Sequence, residues 1–338
     1  MILFFTNVEN VCPSILSSLE FCAKSVIPSL FPYMVISSLI VYTACFDGLF
    51  SKLPDRLFNV LGVCKKYCVP IVTGNLCGFV TGAKCICDIY EKSQSDESEF
   101  SDSVILSSNA GIGFVVGYVG SKLWGDMRFG IFIYSVQIIS AFLLNGVFHI
   151  FEKKKEKSKE RAYFVKEARN SFFASLARSV ASACSAILQV CAFVVFYSLI
   201  IDLFSSLFAL ERGGFPFCAI CAVLEFCKGT CASLTVGYAP LCAAMTGFCI
   251  GFGGICVHSQ IFSVCDGFPL NKAKFFAFKA LQGVVCSVFC FVYAKVFSVV
   301  PVKSTSFTES GGVNFVLIAF VIAIFFLIRR KNIKKDFF

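Results

Sequence analysis

Long apolar runs alternate with short polar ones along most of this chain, and the length of each run decides what it can be. Stretches 26–46, 103–123, 128–151, 181–209, 234–257, 275–298 and 313–328 approach or exceed the ~20 apolar residues that a helix needs to cross a ~30 Å hydrocarbon layer. Each is predicted to be a membrane-spanning helix. Stretches 70–89 and 214–232 are apolar as well, but they are interrupted from within. The first carries Gly74, Gly78, Gly82 and Lys84; the second carries Pro216, Glu225, Lys228 and Gly229. Backbone broken at membrane depth is tolerated only where protein or a water-filled cavity surrounds it. Both segments are therefore predicted to be re-entrant, entering and leaving on one side.

Charge fixes the orientation. Residues 152–170 hold eight Lys and Arg, and residues 329–335 hold five, each run beside an apolar stretch. Basic runs in that position mark the cytoplasmic face. Residues 152–170 and the basic tail then both lie inside, so an even number of crossings separates them, which removes 214–232 as a span and opens it to the outside. Counting backwards from residue 152 puts loop 91–102 inside and opens 70–89 to the inside. Loop 47–69, with Lys52, Arg56, Lys65 and Lys66, is inside too, as is loop 258–274 with Lys272 and Lys274.

The two halves then share one order, of span, re-entrant segment, span and span, with opposite orientation. Inverted repeats with paired interrupted segments are a signature of secondary transporters, whose substrate sites lie near the midplane at those interruptions. The expected fold is an all-α polytopic membrane protein with two inverted-topology repeats, each holding a re-entrant hairpin, plus a C-terminal transmembrane helix. Residues 1–151 form the first repeat, 152–180 a basic cytoplasmic linker, 181–298 the second repeat, and 299–338 an outer loop, the last helix and the tail.

Composition agrees. Of 338 residues, 57% are hydrophobic and 15% charged, with 42 Phe and one Trp, and the mean hydropathy is +0.80. A soluble domain of this size cannot hide so much apolar surface in one core. The opening residues lack a basic segment followed by an uninterrupted apolar one, so no cleavable signal peptide is expected. The net charge of +9 belongs to the two basic runs and is read as topology, not as a nucleic-acid patch. Twenty cysteines suggest metal or disulfide chemistry, most of all at Cys85-x-Cys87, Cys218-x-x-Cys221 and Cys227-x3-Cys231. A structural zinc site needs four Cys or His ligands, and the only histidines, His149 and His258, are not spaced to supply them. Most of these thiols are expected to pack as small hydrophobes, with a redox role for Cys218 and Cys221 as the alternative.

Five stretches carry a family resemblance: 25–41 (SVIPSLFPYMVISSLIV), 77–90 (CGFVTGAKCICDIY), 107–120 (SSNAGIGFVVGYVG), 223–229 (VLEFCKG) and 251–267 (GFGGICVHSQIFSVCDG). They resemble the YlbJ-type sporulation integral membrane proteins of the nucleoside-recognition Gate superfamily, related to concentrative nucleoside transporters. The resemblance implies a substrate-translocating fold with two re-entrant hairpins, a role in endospore formation, and a place in a membrane surrounding the forespore. Two family patterns differ here. Gly78-Phe79-Val80-Thr81-Gly82-Ala83 lacks the proline of Gly-aromatic-Pro-Ser-Gly-Ala, and Gly111-Ile112-Gly113-Phe114 stands where Gly-Pro-x-Phe is usual.

Candidate chemistry lies in the interruptions. A lysine inside a membrane is costly unless it meets water, a partner or a ligand. Lys84 shares a helix face with Asp88 at i,i+4, and Glu225 and Lys228 form a matching i,i+3 pair. Either pair could neutralise itself, or the lysines could draw an anionic solute toward free N–H groups at a half-helix N-terminus. Thr81, Lys84, Asn109, Glu225 and Lys228 are the candidate substrate-binding residues, with Ser108 beside Asn109. Gly78, Gly82, Gly111 and Gly229 would allow close backbone approach. Gly247, Gly251, Gly253 and Gly254 read as close helix packing. Asp88, Glu225 or His258 would carry coupling to a proton or a sodium ion, although His258 and His149 both also read as interfacial histidines with their tips in water.

No HExxH, GxSxG, P-loop or paired-carboxylate signature is present, and no enzyme activity, metal or other cofactor is expected. The expected partners are the bilayer and a small-molecule solute, with a homo-oligomer left open and no nucleic acid. The expected function is transport of a small polar solute, anionic or heteroaromatic, dipicolinate-like or nucleoside-like. The alternative is a non-transporting membrane scaffold required for spore maturation or cortex formation. A transporter needs the polar groups of 81–88 and 225–228 to converge on one cavity, whereas a scaffold needs only that each be paired locally.

Overall fold

The computed structural model describes residues 8–43, 58, 62–93, 96–151 and 172–301. The basic run 152–170, the expected span 313–328 and the basic tail lie outside the described residues. Within them the chain is helical and forms no strand.

Helices α1 (Val8–Phe21) and α2 (Ile27–Tyr42) are joined through a wide π-type turn at Cys22–Val26. Their apolar parts make one candidate span bent by 50°. Pro13 and Pro32, which each remove a helical N–H donor, lie inside α1 and α2. Next come α3 (Cys68–Cys77) and α4 (Phe79–Ser93), then α5 (Glu97–Ser107) and the π-wound α6 (Gly113–Leu123), and then the long α7 (Met127–Phe151). The second half runs through α8 (Phe172–Leu207), α9 (Phe215–Leu224), α10 (Phe226–Ser233), α11 (Ala239–Phe252), α12 (Gly254–Val264) and α13 (Lys272–Phe297). The order of long helix, two short helices, broken helix and long helix thus occurs twice.

Both short-helix pairs are hairpins, as contacts between the two sides of each break show. A Cβ added to Gly82 would lie 2.8 Å from the Cα of Gly74, so α3 and α4 fold back on each other about Gly78. One added to Gly229 would lie 2.7 Å from the Cα of Ala222, which folds α9 onto α10 about Glu225. The first turn needs glycine, because Gly78 has φ 109° and ψ 172°. The second turns instead through an extended Glu225, φ −142° and ψ 112°.

Met127–His149, Phe172–Leu207, Ala239–Val264 and Lys272–Phe297 are long and apolar enough to cross a membrane, and the bent α1–α2 pair makes a fifth candidate. Their outer faces carry bare apolar side chains such as Leu143 (66% exposed), Leu188 (69%) and Val296 (67%). In water such a surface would be a liability, and against lipid it is solvated. This architecture fits a multi-pass membrane protein.

Polar loops gather at two ends. At one, Lys66 meets Glu99 at 3.5 Å and Lys274 meets Asp102 at 2.6 Å. There the Ser101 hydroxyl donates to the Pro269 carbonyl and accepts from the Asn271 N–H. At the other, the Thr235 hydroxyl donates to the Gly213 carbonyl, and the Phe129 ring stacks on Tyr293 and meets Trp124 edge-on.

Candidate functional site

Four of the interruptions among the described residues, those at Gly78, Ser108–Gly111, Glu225 and Gly253, meet in the interior. The unwound segment between α5 and α6 touches the first hairpin tip, since a Cβ on Gly111 would lie 2.8 Å from the carbonyl carbon of Cys77 and 3.0 Å from the nitrogen of Gly78. The break between α11 and α12 touches the second tip, since a Cβ on Gly254 would lie 3.1 Å from the nitrogen of Phe226. Gly253 reaches across to the first hairpin, where the nearest atom to its added Cβ is on the Phe79 ring, at 3.1 Å. Aromatic rings join the tips, with Phe79 and Phe226 at 5.3 Å between centroids and Phe114 and Phe226 at 5.0 Å. The first pair is edge-to-face and the second tilted, so together they present both π faces and ring edges.

Glu225 is fully buried, and its carboxylate accepts from the N–H groups of Cys227 at 3.0 Å and Lys228 at 2.6 Å. The start of α10 is a natural anion seat, where free N–H groups and the helix dipole favour negative charge, and the chain's own carboxylate fills it. Lys228 turns away from Glu225. Its ammonium lies 2.7 Å from Asp202 Oδ1 and 3.3 Å from the Ser198 carbonyl, both on α8. The hydroxyl of Ser14 on α1 donates to the other Asp202 oxygen. The i,i+3 spacing thus does not make an ion pair, because α8 offers Lys228 a carboxylate while the backbone of α10 occupies Glu225.

Asn109 lies in the unwound segment, buried, at the centre of a polar network. Its amide donates to Asn75 Oδ1 at 2.8 Å and to the Leu106 carbonyl at 3.0 Å. Its oxygen accepts from Lys279 Nζ at 3.0 Å and Gln282 Nε2 at 2.9 Å. Gln282 Nε2 also donates to the Gln137 carbonyl at 2.8 Å, and the Tyr134 hydroxyl donates to the Asn75 carbonyl at 3.0 Å. Ser108 caps the end of α5 by donating to the Val104 carbonyl at 2.6 Å.

The remaining candidates are elsewhere. Half-buried Thr81 and exposed Lys84 and Asp88 line a shallow cleft with Met34 and Ser38 of α2 and Ala183 of α8. Among the described residues Lys84 makes no ion pair. Gly78 and Gly111 stand at the meeting of the tips, whereas Gly82 and Gly229 serve helix contact, Gly82 with Gly74 and with Ser107 of α5, Gly229 with Ala222 and with Cys249 of α11. His258 is buried, not interfacial: Nε2 lies 2.9 Å from the Phe252 carbonyl, and the rings of Phe252, Phe275 and Phe276 surround it at 4.7, 5.2 and 5.5 Å. His149 is exposed beside Gly62.

All described cysteines are free thiols, most of them buried, and Cys218 donates to the Ala232 carbonyl at 2.9 Å. Among the described residues no group of three or more His, Cys, Asp or Glu is placed to hold a metal ion.

Sequence reading missed Asp202, Asn75, Gln137, Lys279 and Gln282. Lys279 and Gln282, at i,i+3 inside an apolar run, were the available signal, since two strongly polar residues on one face of a span seldom face lipid. Comparison of the chain with protein-family models, with curated proteins and with solved structures finds no match in any of the three.

Proposed function

We propose that this chain is a membrane transporter that translocates a small heteroaromatic solute past the meeting point of its two hairpin tips, within an inverted-repeat fold of the nucleoside-recognition Gate type. One observation carries the reading: four separate backbone interruptions, two in each half, converge on one interior point lined by Phe79, Phe114 and Phe226. Broken helices cost hydrogen bonds, and packing alone has no need to bring four breaks together. The gathering of Lys66, Glu99, Asp102 and Lys274 at one end supports the orientation in which loops 47–69, 91–102 and 258–274 share the inner face.

The chemistry favours the heteroaromatic, nucleoside-like solute over the anionic, dipicolinate-like one. Glu225 already fills the anion seat at α10, Lys228 is neutralised by Asp202, and Lys84 opens to a different cleft. The Lys279 ammonium is likewise already held by Asn109 and Gln282, and the rest of what surrounds the tips is aromatic surface and amide, which suits stacking and hydrogen bonding to a planar ring. Sporulation in a forespore-surrounding membrane is the setting that the family resemblance suggests.

A second reading, the non-transporting scaffold, is favoured by a specific observation. The polar groups of 81–88 and 225–228 do not converge on one cavity, and Glu225 and Lys228 are each satisfied locally. Uptake of nucleosides, nucleobases and dipicolinate into proteoliposomes separates the two. Accumulation that Phe79→Ala or Phe226→Ala abolishes at matched protein supports transport. No accumulation of any of them, together with loss of sporulation in the deletion strain, supports the scaffold.

A further inference from the structure

Lys279 is 1% exposed, on α13, and among the described residues no carboxylate pairs with it. A charge in that position is among the costliest things a membrane protein can hold, so its surroundings should show what compensates it. The ammonium donates to Asn109 Oδ1 at 3.0 Å and Gln282 Oε1 at 2.9 Å, both neutral amide oxygens. Behind them stand the C-terminal ends of two half-helices, α3 ending at Cys77 and α5 at Ser107. Helix C-termini carry partial negative charge and favour cations. The amides of Asn75 and Asn109 both donate to the Leu106 carbonyl in the last turn of α5, at 3.1 and 3.0 Å. That leaves the Asn109 oxygen, polarised by the bond behind it, to face Lys279. A further oxygen, Oε1 of the fully buried Gln137, has no donor among the described residues.

We propose that the Lys279 ammonium is a tethered cation, held covalently in a monovalent-cation position that Asn109, Gln282 and the C-terminal ends of α3 and α5 create at the unwound segment. In transporters of broken-helix design, half-helix C-terminal ends and unwound backbone are where coupling cations bind. Here the chain supplies the cation itself, so this position needs no sodium or potassium ion from solution. Lys279 also ties α13 to the segment between α5 and α6, which fixes the first hairpin tip through Gly111. The proposal deepens the transport reading above and rests on it for its meaning, but its test uses no solute.

The full chain and the variants Lys279→Ala, Lys279→Met and Lys279→Arg are purified in detergent. Each is melted in choline chloride, and at equal ionic strength in sodium, potassium or methylammonium chloride. The wild type and Lys279→Arg should melt alike in all four salts. Lys279→Ala should melt about 5 °C or more lower in choline, the scale of a buried polar cluster left unsatisfied, and should regain at least half of the loss in one of the small cations. Lys279→Met keeps the length of the stem without the charge and blocks the position, so it should be destabilised in every salt.

Three results would overturn the proposal: Lys279→Met as stable as the wild type in choline, Lys279→Ala restored by none of the three cations, or neither variant recoverable in any salt. Failure of uptake with normal cation rescue would instead remove the transport reading and leave the tethered cation standing.

Discussion

Truncating Glu225 tests the second hairpin where the local geometry is most specific. Its carboxylate is fully buried and accepts two backbone N–H groups, at 3.0 and 2.6 Å. Alanine leaves both donors without a partner in a place that water does not reach. Helix N-cap losses and unsatisfied buried donors together put the cost at about 2–4 kcal/mol. Glutamine keeps one accepting oxygen but turns an NH2 group toward the other donor, for a cost of about 1–3 kcal/mol. Aspartate, a strong capping residue with a shorter reach, should lose about 1 kcal/mol or less. With roughly 2 °C of melting temperature per kcal/mol in a chain of this size, the order is wild type, Asp, Gln, Ala, with alanine lower by about 4–8 °C. Purified variants melted side by side in one detergent give the order directly. An alanine variant within about 1 °C of the wild type, or aspartate worse than alanine, would refute the cap assignment.

Gly111→Ala forces a methyl to within 2.8 Å of the Cys77 carbonyl carbon, and backbone on both sides cannot yield, so about 1–3 kcal/mol should be lost; an unchanged melt would refute the contact between tip and unwound segment. A double-mutant cycle of Asp202→Asn with Lys228→Met should return a coupling of about 1–3 kcal/mol, because the pair is only partly exposed, and additive losses would dismiss the pair. Arg212→Cys and Lys272→Cys, both at exposed positions, should label from opposite sides of the membrane in a cysteine-depleted background; labelling from one side would sink the orientation. Lys84→Gln should leave solute accumulation at matched abundance unchanged, since its cleft is separate from the tips, and a large loss would restore Lys84 to the site.

The two hairpin interruptions were legible in the sequence because glycine, proline and charge are local signals, whereas 103–123 and 234–257 read as unbroken spans and are broken in the structure. Gly78 and Glu225 stand where the hairpins turn, but the glycines at Gly253-Gly254 and Gly111 read as helix packing or backbone approach, because a glycine inside an apolar run is also what close helix contact needs. Partnership was not legible. Glu225 and Lys228 are one turn apart in sequence, yet each is satisfied by a group that helix periodicity cannot foresee, one by its own backbone and one by Asp202 on a different helix. Lys279 was hidden for another reason. It follows Lys272 and Lys274 in a run that begins a span, where lysines ordinarily reach for the interface, and only the crossing of α13 with the unwound segment turns it inward. His258 failed in the opposite direction, reading as an end-of-span residue because the extent of α12 and the closing of Phe275 and Phe276 over it are tertiary facts.

The free thiols of the interior have a practical consequence. Cys218, Cys249, Cys256, Cys286 and Cys290 are sealed at 0% exposure, on α9, α11, α12 and α13, while Cys12 and Cys184 stand exposed on α1 and α8. A sealed sulfur can react only when its surroundings open, so the rate at which a small permeant alkylating reagent reaches each one is a clock on local opening. The chain therefore carries its own set of reporters, distributed by nature through the second half and readable by mass spectrometry without inserting a probe. If translocation parts the hairpin tips, Cys249 and Cys256, nearest the break at Gly253, should run fast in the presence of solute while Cys290 keeps its pace.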